Sequence, residues 1–280
     1  MNDDSSERSI LVTGCSSGIG ACVAYALNDR GYRVLATVRK EDDRSPLQAR
    51  GIDSFLMDYA DSDSVQNTAR AVLDATDGNL YALFNNGAYG QPGACEDLPR
   101  AALRKQFESN FFGWVELTNC ILPSMRANNR GRIIQNSSIL GFVAMPMRGA
   151  YNASKFAIEG FSDTLRLELQ GSGIHISLIE PGPIESQFRA NAYQAFLDNM
   201  NPEDSPHQER YKKMLRRVNR EGSPSAFTLP PEAVLKRVIH ALESPKPKIR
   251  YPVTTPTYVF SWLKRICSDR LLDRMLAKIN

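Results

Sequence analysis

The sequence has little with which to build a disulfide frame, a metal centre or a membrane span. Its five cysteines, Cys15, Cys22, Cys95, Cys120 and Cys267, form no C-x-x-C pair and stand in apolar or loop-like surroundings. An odd, unclustered set reads as reduced thiols, so the expected location is the cytoplasm. His175, His207 and His240 lie far apart without ligand spacing, and no metal site is expected. No apolar run approaches the ~20 residues that cross a bilayer. The opening MNDDSSERS is acidic and polar, unlike a signal peptide. Lys and Arg number 34 against 31 Asp and Glu, a net charge of +3, and no basic stretch is interleaved with aromatics. A nucleic-acid partner is therefore not expected.

What is present is a rhythm. A chain of 280 residues, 42% hydrophobic and 23% charged, suits one large α/β domain over 1–280. Short β-branched runs (SILVT, YRVLATVR, DSFLMD, LYALFNN, GRIIQNSS, IHISLIEPG) alternate with helical patterns. The helical ones include ACVAYALNDRG, DSDSVQNTARAVLDAT and two long segments, about 99–126 and 149–171. Such alternation implies right-handed βαβ units: a doubly wound Rossmann fold with a parallel sheet of six to seven strands and helices on both faces. After Pro183 the rhythm breaks. Residues 184–229 are polar and interrupted by Pro202, Pro206 and Pro224, and an insertion of that length is either a disordered loop or a lid over the site. A helix follows at about 231–243, then a seventh, edge strand in KPKIRYPVT and a helical extension over about 255–280.

Two stretches carry binding chemistry. TGCSSGIG stands between the first strand and first helix, with Gly14, Gly18 and Gly20 spaced G-x-x-x-G-x-G around Ser16, Ser17 and Ile19. A dinucleotide pyrophosphate needs this: a tight turn, close backbone approach and a helix N-terminus facing the anion. At the end of the second strand, where a carboxylate would hold a ribose 2′-hydroxyl, stand Val38, Arg39 and Lys40. A guanidinium grips a 2′-phosphate, so NADP(H) is expected over NAD(H). Asp58, ending the third strand, is placed to reach the adenine, and Asn85 closes the fourth strand beside the same groove.

Tyr151 and Lys155, in GAYNASKFA, lie one turn apart on one helix face. Alone that pair is ordinary surface. In company it is not: TGCSSGIG, the N-N-G of Asn85–Gly87, Asn110, Ser138 thirteen residues before Tyr151, Y-N-A-S-K and the P-G-P at Pro181-Gly182 occur in order. The set resembles the short-chain dehydrogenase/reductase family, single-domain type, strongly over about residues 8–185. The region FTLPPEAVLKRVIHALESPKPKIRYPVT further resembles that family's bacterial NADP-dependent aldehyde reductases and, more loosely, its hydroxysteroid and retinol dehydrogenases.

The resemblance implies hydride transfer between the nicotinamide and a carbonyl or alcohol, with Tyr151 as proton donor or acceptor. A free phenol titrates near ~10, and Lys155 is expected to lower it. Ser138 is expected to hydrogen-bond the substrate oxygen. By resemblance Lys155 also binds the nicotinamide ribose, Asn110 kinks its helix to connect Lys155 with solvent, and Pro181, Gly182, Ile184 and Ser186 form the nicotinamide-side turn. One departure is visible. The family's N-N-A-G is here Asn85-Asn86-Gly87-Ala88, which puts the loop conformation, and Tyr89-Gly90 as pocket wall, in question. Phe142, Val143, Met145 and Met147, with Phe188, Tyr193 and Phe196, suit a small apolar carbonyl or alcohol substrate, or are plain core. The resemblance also implies a homodimer or homotetramer through the two long helices, where FESNFFGWVEL has more large apolar residues than one buried face needs. At the C-terminus Trp262, Leu263, Ile266, Leu271, Leu272, Met275, Leu276 and Ile279 can form one apolar face edged by Lys264, Arg265, Arg270 and Arg274. Packing of that face on the domain or a second subunit carries more weight than contact with a membrane surface. The rival reading, an NADP-binding sensor or scaffold with little turnover, would be expected to have lost Tyr151 or Lys155.

Overall fold

Strand β1 (Ser9–Val12) alternates its side chains between two helix layers, and that alternation organises the molecule. Ile10 and Val12 enter one core with Val23, Ala24 and Leu27, while Leu11 enters the other with Val65, Val72, Trp114 and Leu117. The computed structural model describes residues 8–218 and 226–277. Its strands β1, β2 (Arg33–Val38), β3 (Asp53–Leu56), β4 (Ala82–Asn85), β5 (Gly131–Asn136), β6 (Ile174–Glu180) and β7 (Arg250–Pro252) form one parallel sheet. The order is β3-β2-β1-β4-β5-β6-β7, the doubly wound arrangement, with β7 at the edge. Helices α1 (Gly18–Asp29) and α9 (Glu232–Glu243) cover the first face. Helices α3 (Ser62–Ala75), α5 (Gly113–Ala127) and α6 (Gly149–Glu168) cover the second. A short helix α2 (Ser45–Gln48) lies between β2 and β3.

The chain winds from β1 towards β2 and β3, then returns to place β4 on the other side of β1. The carboxyl ends of β1 and β4 thus open the crevice where such sheets take ligands. Thr13, just past β1, closes its floor. Its Oγ1 accepts the backbone N–H groups of Asn86 (2.8 Å) and Gly87 (3.2 Å).

Two segments differ from the sequence reading. The long helix expected over about 99–126 is broken into α4 (Arg100–Phe107), a π-helical turn Glu108–Phe112 and α5. Such a turn inserts one residue into the helical ladder and bends it. The C-terminal apolar face is not one face. On α10 (Thr255–Ile266) and α11 (Asp269–Leu276), Leu263, Leu272 and Leu276 pack inward on Ile139, Leu140, Phe142 and Val143, while Trp262, Ile266, Leu271 and Met275 point out. Ile279 lies outside the described residues.

The insertion after β6 contains α7 (Phe188–Asn199) and α8 (Gln208–Val218), and Pro224 lies outside the described residues. The two ends of the insertion are pinned together: Leu229 N–H donates to the Pro183 carbonyl and Glu185 N–H to the Leu229 carbonyl. Its helices dock on Pro92–Leu98 through Tyr211. That hydroxyl donates to Asp97 Oδ2 (2.7 Å) and accepts Ala94 N–H (2.9 Å), above a small core of Ala94, Phe196 and Tyr211.

Candidate active site

The glycine loop is shaped by what has no room. Gly14 (φ 68°) and Gly18 (φ 57°) are left-handed. A Cβ on Gly14 would lie 2.6 Å from the Gly87 Cα, and one on Gly20 would strike the Gly14 carbonyl oxygen. Ser17 precedes α1 without making a side-chain cap, Ser16 and Ser17 are exposed, and the first turn holds no acidic residue. The N–H donors at the start of α1 are therefore not claimed by a capping side chain, as an anion requires. Ile19 turns inward onto the α1–α9 core. The loop's shape and polarity fit a dinucleotide pyrophosphate.

Arg39 and Lys40 lie exposed at the end of β2, and Arg39 makes no hydrogen bond or ion pair among the described residues. Its charge is felt by Tyr89, whose half-buried phenol burial pushes up to about 12 while Arg39 pulls it down. Asp58 is exposed at the same edge, its Oδ1 accepting Ala60 N–H at 2.9 Å. Asn85 departs from the expectation. Its side chain is fully buried, accepting from the Tyr59 hydroxyl (2.6 Å) and donating to Thr118 Oγ1 (3.1 Å), so it braces β4 beneath the groove. The next residue, which the sequence reading passed over, faces the loop. Asn86 Nδ2 donates to the Thr13 carbonyl (2.9 Å), and its Oδ1 accepts from Asn136 Nδ2 (2.8 Å), linking the ends of β1, β4 and β5. The exchanged pair Gly87-Ala88 costs no strain: Ala88 is not left-handed, and it is the missing side chain of Gly14 that lets the two loops approach.

At the other end of the crevice, Ser138 follows β5 and Tyr151 and Lys155 sit in the first turns of α6, all buried. Ser138 Oγ accepts Leu140 N–H at 3.1 Å and lies 3.5 Å from the Pro181 carbonyl. Phe188, at the start of α7, meets the Tyr151 ring edge-on at 5.3 Å. Lys155 Nζ donates to the Asn136 carbonyl (2.7 Å) and sits 4.1 Å from the Trp114 ring centre, a cation–π position.

The electrostatics correct one expectation. In this structure burial outweighs every group that lowers the Tyr151 phenol, and Lys155 is not among those groups. Burial pushes its phenol up to about 12, opposed less strongly by Ser138 and Arg148. Lys155 is itself pushed down to about 7, because burial penalises the ammonium more than Glu159 supports it. The reason is position: the amine is spent on the Asn136 carbonyl and Trp114 and lies 5.7 Å from the centre of the Tyr151 ring.

Asn110 lies in the π-helical turn, wholly buried. Its Nδ2 donates to the Tyr89 carbonyl (2.8 Å) and its Oδ1 accepts Tyr89 N–H (3.2 Å), which fixes the loop after β4. A weaker contact reaches Ser154 Oγ at 3.4 Å. On the β6 side, Pro181 accepts Ile139 N–H (2.8 Å), and Gly182 packs against Thr254 so closely that a side chain there would collide. Ile184 pairs with Leu229, and Ser186 comes over the start of α1, where a Cβ on Gly18 would lie 3.0 Å from the Ser186 Cβ. Val143 and Phe196, expected as pocket candidates, are core: Val143 packs under Leu272 and Leu276, Phe196 on Tyr211.

Beneath Lys155 runs an ion cluster that sequence spacing does not signal. Arg250 of β7 pairs with Glu159 (3.0 Å) and Asp163 (2.7 Å) of α6 and with Glu180 (3.3 Å) of β6. Burial dominates here, pushing Glu180 up to about 8 and Glu159 upward. Among the described residues no group of three or more His, Cys, Asp or Glu could hold a metal ion.

Comparison with known proteins agrees with this geometry. The family model for short chain dehydrogenase matches residues 8–195. The Escherichia coli oxidoreductase YbbO is 43% identical over 96% of this chain and 94% of its own. The NADPH-dependent 3-dehydrocapnine reductase of Ornithobacterium rhinotracheale is 31% identical over 97% and 96%. A short-chain dehydrogenase structure from Streptomyces avermitilis superposes with a TM-score of 0.78 at 25% identity, covering 96% of this chain and 97% of that one. Solved structures of the same fold hold NADP in one case and NAD in another, so the fold alone does not choose between them. On the family match and these relatives, the chain belongs to the short-chain dehydrogenase/reductase family, the oxidoreductases of CH–OH and C=O groups that use nicotinamide cofactors.

Proposed function

We propose that this protein uses NADPH to reduce the carbonyl of an apolar aldehyde or ketone, and runs the reverse oxidation with the same groups. The observation that carries the reading is the placement of the Tyr151 phenol: buried at the cleft, edge-on to Phe188, hydrogen-bonded with Ser138 and one turn along α6 from Lys155. A nicotinamide dinucleotide seated on Gly14, Ser16, Ser17, Gly18, Ile19 and Gly20 would supply or accept the hydride at the carbonyl carbon. The chain does the rest. Ser138 orients the carbonyl oxygen and Tyr151 gives it a proton. Lys155, poised near neutrality by burial, becomes more firmly charged when a phenolate forms beside it. Asn110 holds the loop carrying Tyr89, and Pro181, Gly182, Ile184 and Ser186 line the nicotinamide end, with Asp58 at the adenine end.

Arg39 supports the choice of NADP(H). It is exposed where a 2′-phosphate would lie and has no carboxylate to satisfy it, and the dehydrocapnine relative is named for NADPH. The Phe188 ring against Tyr151 supports an apolar substrate. Phe112, Phe156 and Leu167, exposed on the outer side of the α4–α6 region, support a homodimer or homotetramer there. Light scattering checks this, a monomer at micromolar concentration overturning it. We place the protein in the cytoplasm as one domain over 1–280. The sensor reading does not require the Tyr151–Lys155 pair.

NADPH oxidation measured across aldehydes, ketones and steroids, wild type against Tyr151→Phe, tests the mechanism. Turnover should fall by about 10²–10⁴-fold while NADPH binding holds. Near-normal activity in the variant would refute it.

A further inference from the structure

The two C-terminal helices are apolar on both sides. Their inward residues meet in a single cluster with Val143, so their outward residues lie on the far side from it. There Tyr258, Trp262 and Ile266 follow one another at i, i+4 and i+8 on α10, with Val259 beside them. Trp262 is 63% exposed and Ile266 58%. Leu271 and Met275, one turn apart on α11, are exposed too. A patch of this kind, large residues in series, marks a surface that something covers.

The charges around it select the cover. Helix α10 has no acidic residue, and its Arg265 is exposed at the edge of the patch, while Lys264 turns back to donate to the Phe142 carbonyl and lies over the Phe156 ring. On α11, Arg270 and Arg274 are one turn apart, and at 100° per residue Arg274 falls between Arg270 and Leu271, while Asp273 falls on the opposite side. Neither arginine makes an ion pair among the described residues. A second copy of the chain would bring the same cationic rim against itself across a two-fold contact. An anionic lipid surface complements it: arginines reach the phosphates, Trp and Tyr sit at headgroup level, and Ile, Leu and Met enter the acyl boundary.

We infer that the outward face of α10 and α11 is a docking surface for an anionic phospholipid bilayer. The helices lie on the bilayer, since no described helix is long and apolar enough to cross one. Their inward side holds Ile139–Val143, the loop that follows Ser138, so docking brings that loop within about one helix diameter, ~10 Å, of the lipid. An apolar carbonyl compound dissolved in the bilayer would then be supplied next to the cleft. The surface stands whether or not Tyr151 is the proton donor.

Cosedimentation of the full chain with vesicles of phosphatidylserine and phosphatidylcholine, against phosphatidylcholine alone, tests this. Binding should need the anionic lipid and weaken as salt rises. Trp262 and the buried Trp114 are the two tryptophans, so a blue shift of emission on binding reports Trp262. Arg270→Ser and Arg274→Ser should each weaken binding about five-fold. Trp262→Ser should weaken it further, and all three variants should keep wild-type turnover of a water-soluble aldehyde. No binding of the folded wild type to anionic vesicles overturns the proposal, as does binding that the arginine and tryptophan variants leave unchanged. An oligomer that Trp262→Ser dissociates, without vesicle binding by the wild type, assigns the face to a second copy instead.

Discussion

A methyl group at Gly20 would run into the Gly14 carbonyl oxygen, whereas the α7–α8 insertion across the cleft is held by separate side-chain contacts: Tyr211 bridging Asp97 and the Ala94 amide, Ser205 on Asp97, Asn199 on Gln91 and His207 on Glu96. The glycine loop is defined by backbone against backbone and has no side chain that could turn aside. The insertion is defined by side chains, which can be exchanged or released one at a time. One end of the crevice is therefore fixed by its backbone, and the other is built from replaceable contacts.

The largest effect should come from breaking the rigid side. Gly20→Ala puts a Cβ where only backbone can yield, so stability should fall by about 3 kcal/mol, the upper end of the usual overpacking cost, with a clear loss of Tm and of dinucleotide binding. A variant as stable as wild type would mean that the loop is softer than its packing shows. Arg39→Ala acts at the edge of the same region without touching its backbone. A charge-assisted phosphate contact is worth about 1.5–3 kcal/mol, so NADPH affinity should drop about ten- to a hundred-fold while NADH affinity and Tm stay put. Fluorescence titration of both cofactors reads this, and equal wild-type affinities would contradict the assignment. The smallest effect belongs to the insertion. Tyr211→Phe removes the hydroxyl from a side chain that keeps its packing on Phe196, at a cost of about 1–2 kcal/mol confined to that segment. Limited proteolysis within residues 200–218 should speed up and KM rise modestly, with Arg39-dependent NADPH binding unchanged. A matching loss of NADPH affinity would show the two regions to be coupled.

The parts of the site that were legible in the sequence are those with short, local rules. Gly14, Gly18 and Gly20 declare themselves by spacing between a strand and a helix, and the alternation of strands and helices announces a doubly wound sheet. Tyr151 and Lys155 are visible as an i, i+4 pair. The misplaced residues depend on partners far along the chain. Asn85 reads as a groove residue until Tyr59 and Thr118 are seen to bury it, and Asn86 gains its place from Asn136, fifty residues away. The π-helical turn at Asn110 has no hydrophobic period of its own, so periodicity reads 99–126 as one helix, and only the family resemblance implied a kink at Asn110.

Composition and periodicity by themselves determined the parallel sheet and the crevice glycines, because those follow from steric rules acting over a few residues, while Asn110, Ser138 and the roles of Tyr151 and Lys155 came from the family resemblance. The tertiary structure decided the charge states and the exposures. Burial on all sides pushes the Tyr151 phenol up and the Lys155 amine down, and desolvation is set by the whole fold. The same holds for the C-terminal helices. Their sequence shows one broad apolar arc, but only the packing of Leu263, Leu272 and Leu276 on Val143 decides that Trp262 and Ile266 are left facing outward.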